Sequence, residues 1–173
     1  RLERLGSDTN ATETSMTARL DYYNIAPDML KPMLALEAAV RGGALERELV
    51  ELVKLRASQI NGCAYCLHMH SRDARAGGMD QTRLDLLPAW RESSLYSPRE
   101  RAALAWTEAL TLLAQTGAPD EDYAGIAEHF DEAERVQLSM LICTINAWNR
   151  LAVGFRSEHP KAPEKGTGKA DAA

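Results

Sequence analysis

The sequence predicts an all-α fold, a single-domain helical bundle, from three observations. Alanine, leucine and glutamate dominate the middle of the 173-residue chain, whereas only 6% of the residues are aromatic, and this composition favours helices over strands. Apolar residues recur at helical spacing, and no alternating pattern long enough for a strand interrupts them. Helix-start and helix-stop signals bracket these periodic segments, and the chain has the length of one ordinary domain.

The first predicted helix runs from Pro27 to about Val40. Proline suits a first helical turn because its missing N–H is not needed there, and Gly42-Gly43 ends the element. Pro32 is less compatible with a helix interior and predicts either a kink or a later start. A second helix is expected over about 45–59, where leucine and valine side chains form an apolar stripe.

Capping residues predict the next helix starts. Asn61-Gly62 interrupts the pattern, and asparagine is a good N-cap, so a third helix is expected to begin there. Asp80 predicts the N-cap of a short helix that ends near Pro88. The strongest signal is the segment 97–100, in which Ser-Pro-Arg-Glu supplies a capping box with proline at the first helical position. That helix is expected to reach about Gln115.

Two further helices complete the predicted bundle. Asp120 opens one that runs to about Phe130, and Asp131 with Glu134 opens the last, which reaches about Phe155. The apolar residues of the last helix predict that it is central to the core; they are Val136, Met140, Leu141, Ile145, Trp148 and Leu151. The helical domain is expected to span 18–157. Residues 1–17 are expected to be disordered or derived from an expression vector, and 158–173 to form a disordered tail.

Composition excludes several functional classes. A net charge of -5 makes the chain a poor binder of phosphate backbones, so nucleic acid is not an expected partner. No apolar run approaches the roughly 20 residues that a membrane span needs. Three cysteines in a chain of this length do not make a disulfide framework. The chain is expected to be cytoplasmic, where a close cysteine pair indicates redox chemistry or a metal site.

The candidate catalytic residues are Cys63, Cys66, His70 and Glu51. At about 100° per helical residue, the two cysteines lie roughly 60° apart and Cys66 and His70 roughly 40° apart, so all three share one face. His68 falls roughly 160° from Cys66, nearly on the opposite side. One continuous helix would hold Glu51 about 18 Å from Cys63, but a break at 61–62 allows the two helices to fold together.

This group of side chains suits thiol chemistry. A helix start favours the thiolate form of Cys63, and His70 can take a proton from Cys66 or stabilise its thiolate. Glu51 could accept and pass on a proton. Two sulfurs at this spacing can close a disulfide after one has been oxidised.

Other uses of the cysteines are less favoured. Cys63, Cys66 and His70 offer three ligands for a zinc ion, but a closed structural zinc site needs a fourth. Haem attachment requires histidine directly after the second cysteine, where Leu67 stands. No metal and no cofactor are therefore predicted. Cys143 lies in an apolar segment and is predicted to be a buried core residue.

The run from Glu48 to Gly77 resembles the core motif of the alkylhydroperoxidase D-like proteins of the carboxymuconolactone decarboxylase superfamily. The matching features are Glu51 twelve residues before the first cysteine, the pair itself, and His70 four residues after the second. The segment 57–62 ahead of the pair is also similar, and the stretch 145–150 resembles the last core helix of that family. The resemblance covers about two-thirds of the chain.

This resemblance implies an antioxidant oxidoreductase, a peroxidase with a redox-active disulfide, that assembles as a homo-oligomer of trimeric or hexameric type. Cys66 would attack the peroxide, Cys63 would resolve the sulfenic acid, and Glu51 and His70 would relay protons. The implied partners are a peroxide substrate and an unidentified thiol reductant or reductase. The best-studied members carry histidine directly before the second cysteine, where this chain has Tyr65.

Two other functions stay open at this stage. A lactone decarboxylase of the same superfamily would share the fold, although that branch generally lacks the cysteine pair. A non-enzymatic redox-sensing or ligand-binding module would use the state of the disulfide as its signal.

Overall fold

The computed structural model describes residues 17–160, and within that range the chain is all-α, as the sequence predicted. The predicted N-terminal and C-terminal extensions lie almost entirely outside the described residues. The helices, in chain order, are α1 Tyr22–Ile25, α2 Pro27–Arg41, α3 Arg47–Ile60, α4 Ala64–Ala76, α5 Gln81–Leu86, α6 Pro98–Thr111, α7 Leu113–Thr116, α8 Asp120–His129 and α9 Glu132–Phe155, with a 3₁₀ helix, Leu87–Glu92, before α6. None of these helices is both long enough and apolar enough to cross a membrane.

Most of the predicted capping signals are confirmed. Ser97 and Glu100 form a reciprocal capping box at the start of α6, and Asp131 and Glu134 form another at the start of α9. Asp80 caps α5 with its carboxylate. These signals could be recognised because each depends only on residues within one turn of the chain.

The turn between α3 and α4 differs from the prediction. Asn61 is the C-cap of α3 rather than the N-cap of α4, and Gly62 follows with a φ of 64°, which glycine adopts without steric cost. The N-cap of α4 is Cys63, two residues later than predicted, and its sulfur accepts a hydrogen bond from the backbone N–H of Cys66 at 3.3 Å. The first cysteine therefore takes the capping role that was expected of the asparagine.

Other helix boundaries also differ from the predicted ones. The helix α6 stops at Thr111 because Leu112 leaves helical geometry, and α7 adds a separate turn that ends at Gly117. The helix α2 continues through Pro32, and the short helix α1 was not predicted. On α9, Val136 and Met140 are 65% and 40% exposed, so their predicted place in the core is wrong.

The helix α3 lies at the centre of the bundle and packs against α4, α6 and α9. Its apolar residues Leu52 and Val53 are fully buried, and burial of such a side chain stabilises the fold by about 1.5–3 kcal/mol. The same helix also buries Glu51, Lys54 and Ser58. Buried polar groups are costly unless they are paired, so each of these three side chains requires a partner from a neighbouring helix.

Candidate active site

The two cysteines form a disulfide at the start of α4. Their Cα atoms are 5.4 Å apart, and the residues Cys63 and Cys66 are only 1% and 2% exposed. Cys66 borders a cavity of about 170 Å³, whereas Cys63 is not among the described residues that line it. A molecule in this cavity would therefore contact Cys66 and not Cys63.

Glu51 and His70 form a buried pair beside the disulfide. The turn at 61–62 folds α4 back on α3, so that Nδ1 of His70 lies 2.9 Å from Oε2 of Glu51. Both residues are nearly inaccessible, at 2% and 4% exposure. His70 follows Cys66 by one helical turn and lines the same cavity. A neutral His70 that donates from Nδ1 to the carboxylate leaves Nε2 free to accept a proton.

The predictions for His68 and Cys143 have different outcomes. His68 lies on the exposed side of α4, as its spacing predicts, and its ring stacks on that of His159 at 5.3 Å. Cys143 is exposed, so its predicted burial is wrong. Its neighbours Leu141 and Ile142 take the inward-facing positions of α9, and the next residue is turned about 100° away.

A buried amide network holds the cysteine-bearing turn, and the sequence prediction missed it. The side-chain amide of Asn61 donates to Oδ1 of Asn146 and of Asn149, both at 2.9 Å. Asn149 donates in turn to Oγ of Ser58 at 3.1 Å. Two asparagines one turn apart in an otherwise apolar segment are the signal that could have revealed it, because buried amides need partners. The network fixes the turn against α9 and thus the position of the cysteines.

Aromatic side chains form one wall of the large cavity. They are Tyr22, Tyr23, Tyr65 and Trp148, and the Tyr23 and Trp148 rings stack with centroids 6.3 Å apart. Burial raises the pKa of Tyr23 above its ordinary value, and neighbouring Tyr22, Tyr65 and Glu37 add to the shift, so this phenol keeps its proton at neutral pH. The volume is close to that of an apolar cavity that holds one benzene ring, about 150 Å³.

A second, smaller cavity adjoins Glu51, and neither Cys63 nor Cys66 is among the described residues that line it. Its volume is about 40 Å³, and its polar lining includes Arg47, Glu48 and Asp73. This is enough room for water, which needs about 10–15 Å³ and polar partners. Glu51 therefore borders a polar cavity that Cys66 does not line, and Asp73 lines both cavities.

Comparison with known proteins identifies the family. The carboxymuconolactone decarboxylase family matches residues 27–109. The uncharacterized protein YdfG of Bacillus subtilis (strain 168) is 43% identical over 140 residues, which are 81% of this chain and 95% of YdfG. The chain belongs to the carboxymuconolactone decarboxylase family. Within that family it is an alkylhydroperoxidase D-like protein, as the motif around the cysteines predicted.

Two solved structures share the all-helical fold of this chain. ATU0492 from Agrobacterium tumefaciens is a protein of unknown function that has been proposed to be the antioxidant defence protein AhpD; it is 43% identical, with a TM-score of 0.83 over 84% of this chain and 100% of that one. The alkylhydroperoxidase AhpD core of a peroxidase-related protein from Ralstonia eutropha JMP134 is 19% identical, with a TM-score of 0.71 over 80% of this chain and 74% of that one. The second likeness shows the fold alone.

Proposed function

We propose that this carboxymuconolactone decarboxylase family member is a thiol-dependent peroxidase of the alkyl hydroperoxide reductase type. One observation carries the proposal: Cys66, paired with Cys63, opens on a cavity that it shares with His70, and buried Glu51 holds that histidine. The cysteines supply two electrons, and the histidine with its carboxylate partner supplies a route for protons.

The reaction would begin with both cysteines reduced. His70 takes the thiol proton of Cys66, and the thiolate attacks the terminal oxygen of the hydroperoxide. The S–O bond forms as the O–O bond breaks, and the alkoxide leaves as the alcohol after it takes a proton from the histidinium. Cys66 is now a sulfenic acid, and the peroxide has been reduced by two electrons.

The second half would return the enzyme to its starting state. The sulfur of Cys63 attacks that of Cys66, so the S–S bond forms, the S–O bond breaks, and water leaves with the thiol proton. A dithiol reductant then reduces the disulfide by exchange and is itself oxidised. We place the enzyme in the cytosol, where thiol reductants are maintained.

Glu51 would act through His70 rather than on the substrate. A carboxylate that accepts the Nδ1 proton fixes the tautomer and stabilises the imidazolium that forms when Nε2 takes the thiol proton. Burial of both groups strengthens this interaction because solvent screens it little. The pair would therefore hold a proton between its removal from Cys66 and its delivery to the alkoxide.

Multiple turnover should separate a peroxidase from the two other functions. With dithiothreitol in excess, the protein is expected to consume many equivalents of cumene hydroperoxide, and prior alkylation of the reduced protein with iodoacetamide should abolish this consumption. Peroxide loss in an absorbance assay provides the measurement. A redox sensor would stop after one equivalent, and a lactone decarboxylase would keep its decarboxylating activity after alkylation; either result would contradict the proposal.

We also propose that the chain works as a homo-oligomer of trimeric or hexameric type. Apolar side chains remain exposed on α2 and α9, with Met29 at 73%, Leu34 at 49% and Val136 at 65%. Covering such a surface with another copy would remove it from water, and closed symmetric assemblies are the usual outcome. Light scattering at micromolar concentration should give a multiple of the 19.1 kDa chain mass, and a single-chain mass would refute assembly.

A further inference from the structure

Arg41 is the last residue of α2 and one of the side chains that line the large cavity. It is exposed, so its part of the lining adjoins solvent, whereas Cys66 and His70 line the same cavity from buried positions. Within residues 17–160, its guanidinium takes part in no ion pair and no hydrogen bond. The cavity therefore has a cation at its rim that the described fold does not use.

The pairing of Glu37 explains why Arg41 is left over. Glu37 stands one turn before Arg41 on α2, and opposite charges at this spacing normally interact. Here the carboxylate of Glu37 pairs with Lys54 of α3, whose side chain is completely buried. A buried ammonium without a partner is far more costly than an exposed guanidinium in water. The usual helical neighbour of Arg41 is thus committed to another contact.

The charges around the cavity do not cancel. Two acidic side chains line it, and each has a cationic partner: Glu37 pairs with Lys54, and Oδ1 of Asp73 lies 2.9 Å from Nη2 of Arg72. Among the lysine, arginine, aspartate and glutamate side chains described in the lining, Arg41 alone lacks a counterion. One positive charge is left over, so the complementary ligand carries one negative charge.

The aromatic wall defines the rest of that ligand. Tyr23 and Trp148 stack beside a space of about 170 Å³, which suits a single ring or another compact apolar body. The planar guanidinium of Arg41 offers N–H groups whose spacing matches the two oxygens of a carboxylate. An apolar body can therefore occupy the cavity while a carboxylate attached to it reaches the rim.

We propose that Arg41 is a specificity-determining residue that binds a carboxylate on the body of an organic hydroperoxide. This inference rests on the proposed peroxidase function and adds the substrate class to it, a compact apolar hydroperoxide with one negative charge. The carboxylate pairs with the guanidinium at the rim, and the peroxide group then lies inside the cavity, toward Cys66. A neutral analogue keeps the apolar contacts but gains nothing from Arg41.

A matched pair of substrates tests this assignment. Cumene hydroperoxide with a para-carboxylate and the methyl ester of the same compound share one skeleton, and only the first is charged. For the wild type at low ionic strength, kcat/KM should favour the carboxylate about fivefold, the upper range for an exposed ion pair. The preference should shrink in about 1 M NaCl, because salt screens such a pair. Equal values for the two substrates at low salt would overturn the proposal.

Two arginine variants separate a local contact from an effect of net charge. Arg41→Gln should bring the preference to near unity and leave kcat/KM for the methyl ester nearly unchanged. Arg75→Gln is the matched control, since Arg75 is exposed in the last turn of α4, has no described ion pair and is not among the described residues that line the cavity. This control should keep the wild-type preference. A preference retained in Arg41→Gln, or lost equally in both variants, would refute the role of Arg41.

A binding measurement separates this inference from the proposed function. The alcohols that correspond to the two hydroperoxides cannot be reduced by the thiols, but they can shield Cys66 of the reduced protein from iodoacetamide. The carboxylate alcohol should protect at a concentration about fivefold lower than its methyl ester in the wild type, and at a similar one in Arg41→Gln. Selective protection without peroxide turnover would reject the peroxidase and keep the Arg41 site. Turnover without any preference or selective protection would reject only the site.

Discussion

Replacing Cys66 with serine is expected to abolish peroxide consumption, with a loss of at least about 10³-fold, because removal of a nucleophile in a well-studied protease costs up to about 10⁶-fold. A serine hydroxyl does not form an anion near neutral pH and cannot be oxidised to the sulfenic acid. The measurement is the rate of cumene hydroperoxide loss with dithiothreitol as reductant. Substantial turnover by Cys66→Ser would reject the proposed mechanism.

The other two cysteines provide the controls. Cys63→Ser should still be oxidised at Cys66 by the first equivalent of peroxide, but it cannot form the internal disulfide, so a sulfenic acid detectable by dimedone labelling should accumulate. Cys143→Ser should turn over like the wild type, because this exposed cysteine on α9 lies outside the site. A large loss in Cys143→Ser would indicate that a different thiol is involved.

Replacing His70 with alanine is expected to slow the reaction by about 10²–10⁴-fold, the usual contribution of a positioned proton-transfer group. The substitution removes the proposed base and leaves Glu51 buried without its partner. The value of kcat/KM for peroxide at neutral pH gives the measurement, and a thermal unfolding curve shows whether the variant is folded.

His68→Ala is the matched control for this prediction. The two histidines are two residues apart on the same helix, but His68 is exposed and packs on His159 instead of the cavity. Its replacement should leave the rate nearly unchanged. Equal losses in the two variants would mean that the position of His70 on the cavity is not what determines the rate.

Local signals explain why the helices were predictable. The capping boxes at Ser97 and Asp131 lie within single turns, and the helical spacing alone distinguished His70 from His68. The position of Glu51 was harder to predict, because its contact with His70 depends on a turn that brings two helices together. The sequence allowed that contact but did not require it.

Features that depend on distant partners could not be predicted. Asn61 looks like a helix N-cap in isolation, and its actual role follows from amides of α9 that are more than eighty residues away. The long helix α9 is apolar on more than one side, so periodicity could not distinguish its inward face from exposed Val136 and Met140. Glu37 and Lys54 each resemble ordinary solvated helix charges until the fold buries them together.

The small cavity beside Glu51 gives the site a second polar space. His70 borders the large cavity, Glu51 borders the small one, and a 2.9 Å hydrogen bond joins the two residues, while Asp73 lines both cavities. In the proposed peroxidase, a substrate or a reductant over Cys66 would fill the large cavity, whereas the small cavity would stay available to water. We therefore expect the rate of proton exchange at Glu51 to be independent of how long a molecule occupies the large cavity.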